Sequence, residues 1–132
     1  MFYIRGIENV KAAPLITGGP AAQTTTVTGP AVDFSATDDV VALVQDVGAV
    51  TGTTPSLAGK LQESADGSTN WTDCQPGGGS ISAVTASGSV QVATYQRSKE
   101  FIRYVGTITG TTPSFTMDAI GLGQYKKTPN TN

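Results

Sequence analysis

Three carboxylates, Glu63, Asp66 and Asp73, sit close together in the chain around an Asp66-Gly67 turn signal. Two carboxylates on either side of a sugar bond would suit glycoside hydrolysis. The acid of such a pair needs a raised pKa, hence partial burial, whereas carboxylates beside a Gly-Ser turn are ordinarily solvated. Asp38-Asp39 could contribute oxygens to a calcium ion, but no DxDxDG spacing follows. The chain contains no His. That removes Ser-His-Asp and Cys-His arrangements, most catalytic zinc sites and the commonest general base. The single Cys, Cys74, forms no internal disulfide and no CxxC metal site. With no His, Lys or Arg adjacent to activate it, it reads as a small buried thiol. Gly77-Gly78-Gly79 lacks the Gly-Lys-Ser/Thr ending of a phosphate loop. No catalytic, metal-binding or cofactor-binding residue is therefore assigned, and a non-enzymatic role is expected. Two further groups invite a binding role. Trp71, the only Trp, reads as a cover over one end of a β core, with a sugar-stacking platform as the alternative. Arg97, Lys99 and Arg103, with Glu100 among them, read as a solvated edge strand protected by charge, or as an ion-pairing surface for an acidic partner.

The elements that must position these residues are strands. The 132 residues suit one domain, and 38% hydrophobic residues suit one modest core. Charged residues are only 14%, against about 25% in ordinary domains. A net charge of -2 leaves no electrostatic footprint for nucleic acid. No apolar run is long enough to cross a bilayer. Arg5, Glu8 and Lys11 interrupt the start before a leader-like apolar run develops, so synthesis in a cytoplasm is expected. Heavy use of Gly, Thr and Val disfavours helices. Residues 38–50 place Val41, Leu43 and Val47 on one parity and Val40, Val44 and Val50 on the other. Such a strand is either central or turned by a bulge near Gly48. Further strands are expected at 57–64, 71–76, 81–85, 90–96, 101–109 and 114–122, with one short strand at 23–28. The expected fold is an all-β sandwich or jelly-roll-like barrel of seven to eight strands over 31–125. Residues 1–30, punctuated by Pro and Gly, read as an extended N-terminal arm that needs something to lie on. Residues 126–132 read as a flexible tail.

One string repeats. Thr-Gly-Thr-Thr-Pro-Ser occurs at 51–56 and again at 109–114. Val47-Gly48, Val50 and Leu57 around the first copy correspond to Val105-Gly106, Ile108 and Phe115 around the second. Gly relaxes the backbone, Pro fixes φ, and the threonines can bond their own backbone. The expectation is a pair of similar strand–turn–strand units in which Pro55 and Pro113 end pairing, the flanking apolar residues facing each other across strands. The alternative is two loops making equivalent contacts with a partner.

The runs VGAVTGTTPSLAGKLQESADGSTNW (47–71) and FIRYVGTITGTTPSFTMDAIG (101–121) resemble small virion structural proteins of tailed bacteriophages. There a TGTTPS-like turn precedes a strand ending in Gln-x-Ser-x-Asp-Gly, and an Arg-Tyr strand precedes a similar turn. The resemblance implies a capsid cement or decoration subunit at the virion surface, bound to the major capsid protein. A homo-oligomer, favoured as a trimer, is expected, without nucleic acid, membrane or cofactor. A tail or baseplate component is the alternative. The stretch SADGSTNW (64–71) is also similar to the Ser-x-Asp-Gly-x-x-Trp turn of discoidin-like carbohydrate-binding sandwiches, with one extra residue before Trp71. Phe2, Tyr3, Ile4 and Arg5, an apolar knot opening a polar arm, are expected to carry the contact with capsid or neighbouring subunit.

Overall fold

The computed structural model describes residues 9–76 and 81–126. Every regular element among them is a strand. Two long strands organise the molecule, β5 (Thr37–Ser64) and β9 (Phe101–Tyr125), and they pair antiparallel from end to end. Along the other edge of β9 lie four short strands in sequence: β1 (Val10–Pro14), β2 (Ala21–Gln23), β3 (Val27–Thr28) and β4 (Val32–Asp33). Along the other edge of β5 lie β8 (Ser89–Gln96) and β6 (Thr72–Asp73), and β7 (Gln75–Pro76) pairs with β8. The result is one antiparallel sheet curled into a half-barrel, within the sandwich and barrel class expected from the turn spacing.

The TGTTPS strings do not end strands. They bend two continuous strands at the same place, directly opposite each other. Thr51 pairs with Ser114, Thr53 with Thr111 and Ser56 with Thr109, so the two copies are related by a local two-fold. Gly52 (φ 112°) and Gly110 (φ 124°) take conformations open to glycine, and Thr54 (φ 47°) and Thr112 (φ 46°) are left-handed despite their β-branches. A Cβ on Gly52 would lie 2.7 Å from the Thr112 carbonyl oxygen and 2.8 Å from Pro113 Cα. One on Gly110 would lie 2.8 Å from the Thr54 oxygen and 3.0 Å from Pro55 Cα. Each glycine thus admits the other strand's Thr-Pro backbone. The expectation that Pro55 and Pro113 terminate pairing is corrected: the irregular register around them lets both strands turn without separating.

The register explains the core. Relative to β9, β5 carries one extra residue between Val47 and Val50 and another between Thr53 and Ser56, whereas β9 carries one extra between Thr111 and Ser114. Two insertions keep parity and one reverses it. So β5 points odd residues inward on both sides of the bend (Val41, Leu43, Val47, then Leu57, Leu61). In β9 the inward set changes from even (Ile102, Tyr104, Ile108) to odd (Phe115, Met117, Ala119). The bulge anticipated near Gly48 is the first of these insertions.

The bend divides the sheet into a valine-rich half (40–47 of β5, 117–125 of β9, β1, β8) and a tyrosine half (57–64 of β5, 101–108 of β9, β3, β4, β6), which close on one core. Tyr104 bridges them. Its ring lies over the Gly59–Gly106 cross-strand pair, and its hydroxyl donates to Gln45 Oε1 of the valine-rich half. A Cβ on Gly59 would fall 2.7 Å from the Tyr104 oxygen, so that glycine pair is the slot the phenol needs. Burial pushes the Tyr104 hydroxyl well above the usual phenol range, so it remains a donor.

The segment read as an arm is extended from Asn9 onward, but through residue 34 it lies on its own chain rather than projecting as a separate arm. Leu15 and Phe34, both fully buried, lie against Gly121, and Phe34 also against Gly123. The expected strand at 23–28 is split between β2 and β3, and the expected strand at 81–85 reduces to one bridge, Val84 with Leu57. There β5 is only emerging from the bend at Ser56 and offers no straight edge to extend the pairing.

Replacing Gly52 by Ala should cost about 1–3 kcal/mol of unfolding free energy through a forbidden φ and a backbone clash. The local two-fold makes Gly110→Ala equally costly. Urea denaturation of the two variants measures both, and a loss at only one position would contradict the symmetry.

Candidate functional site

Each carboxylate of the acidic stretch has a local structural task. Glu63, near the end of β5, is buried and accepts from the Ser98 amide (2.6 Å), the Ser98 hydroxyl (3.0 Å) and the Lys99 amide (3.2 Å). It fastens the turn between β8 and β9. Asp66 organises its own turn. Its Oδ1 accepts from the Ser68 and Thr69 amides (2.9 Å each), and its Oδ2 accepts from the Thr69 hydroxyl (2.7 Å). The backbone donors hold its carboxyl well below the usual carboxylate range. Asp73, on β6, accepts from Gln62 (3.0 Å) and pairs with Lys60 (3.0 Å), which lower its pKa. The shifts at Asp66 and Asp73 are both downward, opposite to what a catalytic acid requires. Asp38 and Asp39 are exposed at the start of β5. Among the described residues no group of three His, Cys, Asp or Glu side chains could hold a metal ion.

Trp71 is half-exposed rather than a core cover. The Arg103 guanidinium lies 4.3 Å from its ring centroid, and Arg103 also donates to Gln62 Oε1 (2.8 and 3.0 Å). One face of the indole is thus already occupied, by a cation–π contact. The basic group is dispersed. Arg97 is buried and donates to the Thr37 and Lys99 carbonyls, and Arg103 lies on central β9 rather than on an edge. Cys74 is buried as expected, and desolvation, with Glu63 and Asp73 nearby, pushes its thiol up to about 12.

The feature the sequence reading did not single out is the outer face of the valine-rich half. Cross-strand partners share a face, and one row runs Val92, Val44, Ile120, Pro14. The next runs Thr94, Ala42, Leu122, Ala12. Val40 and Val10 lie beyond at one end, Val90 at the other. Val90 is 66% exposed and Val92 65%, with Val40, Ile120 and Val10 also exposed. Both sides of this half are therefore apolar, where an antiparallel sheet ordinarily keeps one side polar. Among the described residues the patch carries no Lys or Arg. Its polar members are acidic or neutral: Asp38 at the Val10 end, Gln96 and Gln124, and at the Val90 end Asp46 directly opposite Asp118. Like charges so placed repel. The sequence signal was the second parity of valines in 38–50, together with Val90 and Val92. Phe2, Tyr3, Ile4 and Arg5 lie outside the described residues. No known protein-family model, curated protein or solved structure matches the chain.

Two outcomes follow from this geometry. Trp71→Ala should cost about 1–2 kcal/mol in urea denaturation, below the ~3–5 kcal/mol of a core aromatic, because a half-exposed cation–π pair is lost. The Asp66 turn should persist in acid. Its folded pKa is depressed, so its contribution is complete above the unfolded value near 3.9 and is lost only as pH falls through the lower folded one. Carbon-detected NMR titration should find the Asp66 carboxyl still ionised at pH 3; half-protonation at the ordinary value would contradict the turn geometry.

Proposed function

We propose that this chain is a non-enzymatic structural protein of a virion, which binds the outer capsid surface and cements joints between major capsid subunits. The observation that carries the reading is the bare apolar face of the valine-rich half. Contiguous exposed apolar surface of this kind marks an interaction site, and a rigid β-sheet face suits a contact made by burial rather than by chemistry. The likeness of 47–71 and 101–121 to tailed-phage virion proteins supplies the setting. The committed carboxylates and the high-pKa Cys74 agree with a protein whose work is contact. Several modest contacts acting together would suffice, since linked sites raise avidity by about 10²–10⁴ over one contact. Phe2, Tyr3, Ile4 and Arg5 are assigned to contact with the capsid or a neighbouring copy. The Arg103 guanidinium over Trp71 weighs against the carbohydrate-binding alternative, because a sugar would have to displace it or use the other ring face.

Quantitative mass spectrometry of purified particles tests the reading. A cement role requires a copy number approaching that of the major capsid protein. A handful of copies per particle would move the protein to a tail or vertex, and absence from particles would overturn the virion reading.

A further inference from the structure

We propose that the apolar outer face of the valine-rich half seats residues 2–7 of a second copy of this chain. This deepens the assembly reading above, on which it rests for placing several copies side by side. Three observations select the occupant.

The first is charge. The face is acidic at both ends, with Asp38 beside Val10 and the Asp46–Asp118 pair beside Val90, and among the described residues it carries no basic one. Two such faces stacked on each other would set acid against acid, so face-to-face pairing of copies is disfavoured. An apolar segment with a cation is complementary. Residues 2–7, Phe-Tyr-Ile-Arg-Gly-Ile, have that composition, whereas the basic segment 126–132 lacks apolar residues beyond Tyr125. A guanidinium can bridge two carboxylates with paired hydrogen bonds, so Arg5 is matched to Asp46 and Asp118.

The second is length. From the Val40 row to the Asp46 row the face is six residues long, about 20 Å at strand rise. Six extended residues span about the same distance.

The third is direction. The Tyr125 amide donates to the Asn9 carbonyl (2.8 Å), so the chain is still aligned with β9 at Asn9, and β1 runs from there into the sheet. Asn9 thus stands at the end of the sheet, level with Tyr125, and the described chain runs from there into the sheet, away from that end. A neighbour's face placed beyond that end is the face this direction favours. Each copy then gives one segment and receives one. Such head-to-tail exchange closes into a ring if the rotation permits, which accommodates the trimer expected from the family likeness.

Disulfide trapping with full-length, particle-free protein tests this. Val92 is exposed at the centre of the face, and buried Cys74 will not compete. Ile4→Cys and Val92→Cys chains, one of them carrying a size tag, are mixed and mildly oxidised. The expected result is a 4–92 disulfide between different chains, at least tenfold more abundant than with Thr107→Cys on the exposed outer face of the tyrosine half. Arg5→Asp should abolish it, and adding Asp46→Arg to the receiving chain should restore it. A monomeric intrachain disulfide in the Ile4→Cys/Val92→Cys double variant would overturn the proposal in favour of the chain's own face. No disulfide above the Thr107→Cys level would overturn it in favour of a different protein. Either failure leaves the particle copy number free to support the virion reading.

Discussion

The close approach of two backbones at the paired TGTTPS strings governs the rest of the molecule. Gly52 lies against Thr112-Pro113 and Gly110 against Thr54-Pro55, at separations no Cβ would tolerate. Because both strands bend at the same level, hydrogen bonding between β5 and β9 resumes on the far side and one sheet can fold over its own inner surface. Two left-handed threonines are the conformational cost. The return is a closed core from a single sheet. Leu43, Val47, Met117 and Ala119 of one half and Leu57, Leu61, Ile102 and Tyr104 of the other belong to one buried cluster. Without the bend these strands would form a flat ribbon with a bare apolar side.

Closure also depends on space made by omission. The Gly59–Gly106 pair receives the Tyr104 ring, whose hydroxyl reaches Gln45 across the core, and Gly121 and Gly123 receive Leu15 and Phe34. An aromatic ring over a cross-strand glycine covers backbone that would otherwise be poorly packed. Large side chains from one strand thus fill positions vacated on another. The segment 9–34, broken by Pro and Gly into four short strands, follows β9 around the bend because short pieces accommodate a turn that a continuous strand would have to bulge to match.

The two outer faces are divided in character. That of the tyrosine half carries Lys60, Gln62, Asp73, Arg103 and Trp71, which satisfy one another and present a hydrated surface. That of the valine-rich half is apolar, with acids at its ends that form no ion pair among the described residues. The polar groups of the first face are paired with one another, and the apolar face is suited to burial. This asymmetry is the clearest division of the described surface, and it is what the proposed assembly role rests on.

Local chemistry in the sequence determined much of this protein. The abundance of Gly, Thr and Val disfavoured helices, and residue patterning located strand segments at 38–50, 57–64, 90–96, 101–109 and 114–122, without showing that the last two belong to one strand. The repeated TGTTPS announced two equivalent turn units, though as strand ends rather than bends, and the lack of an adjacent His, Lys or Arg at Cys74 pointed to an unactivated buried thiol. The tertiary structure decided what those pieces do together. Pro and positive-φ residues look alike in a terminating turn and in a bulge. Only the partner strand, bending in register, distinguishes them. The fates of Glu63 and Arg97 were likewise hidden. Their hydrogen-bond partners, Ser98 for Glu63 and Thr37 for Arg97, lie 35 and 60 positions away. The valines of the second parity fit a doubly covered central strand equally well from sequence. Among the described residues the apolar side chains that pack against β5 and β9, such as Leu15, Ile16, Val27 and Phe34, lie on the inner face, and that is visible only in the fold.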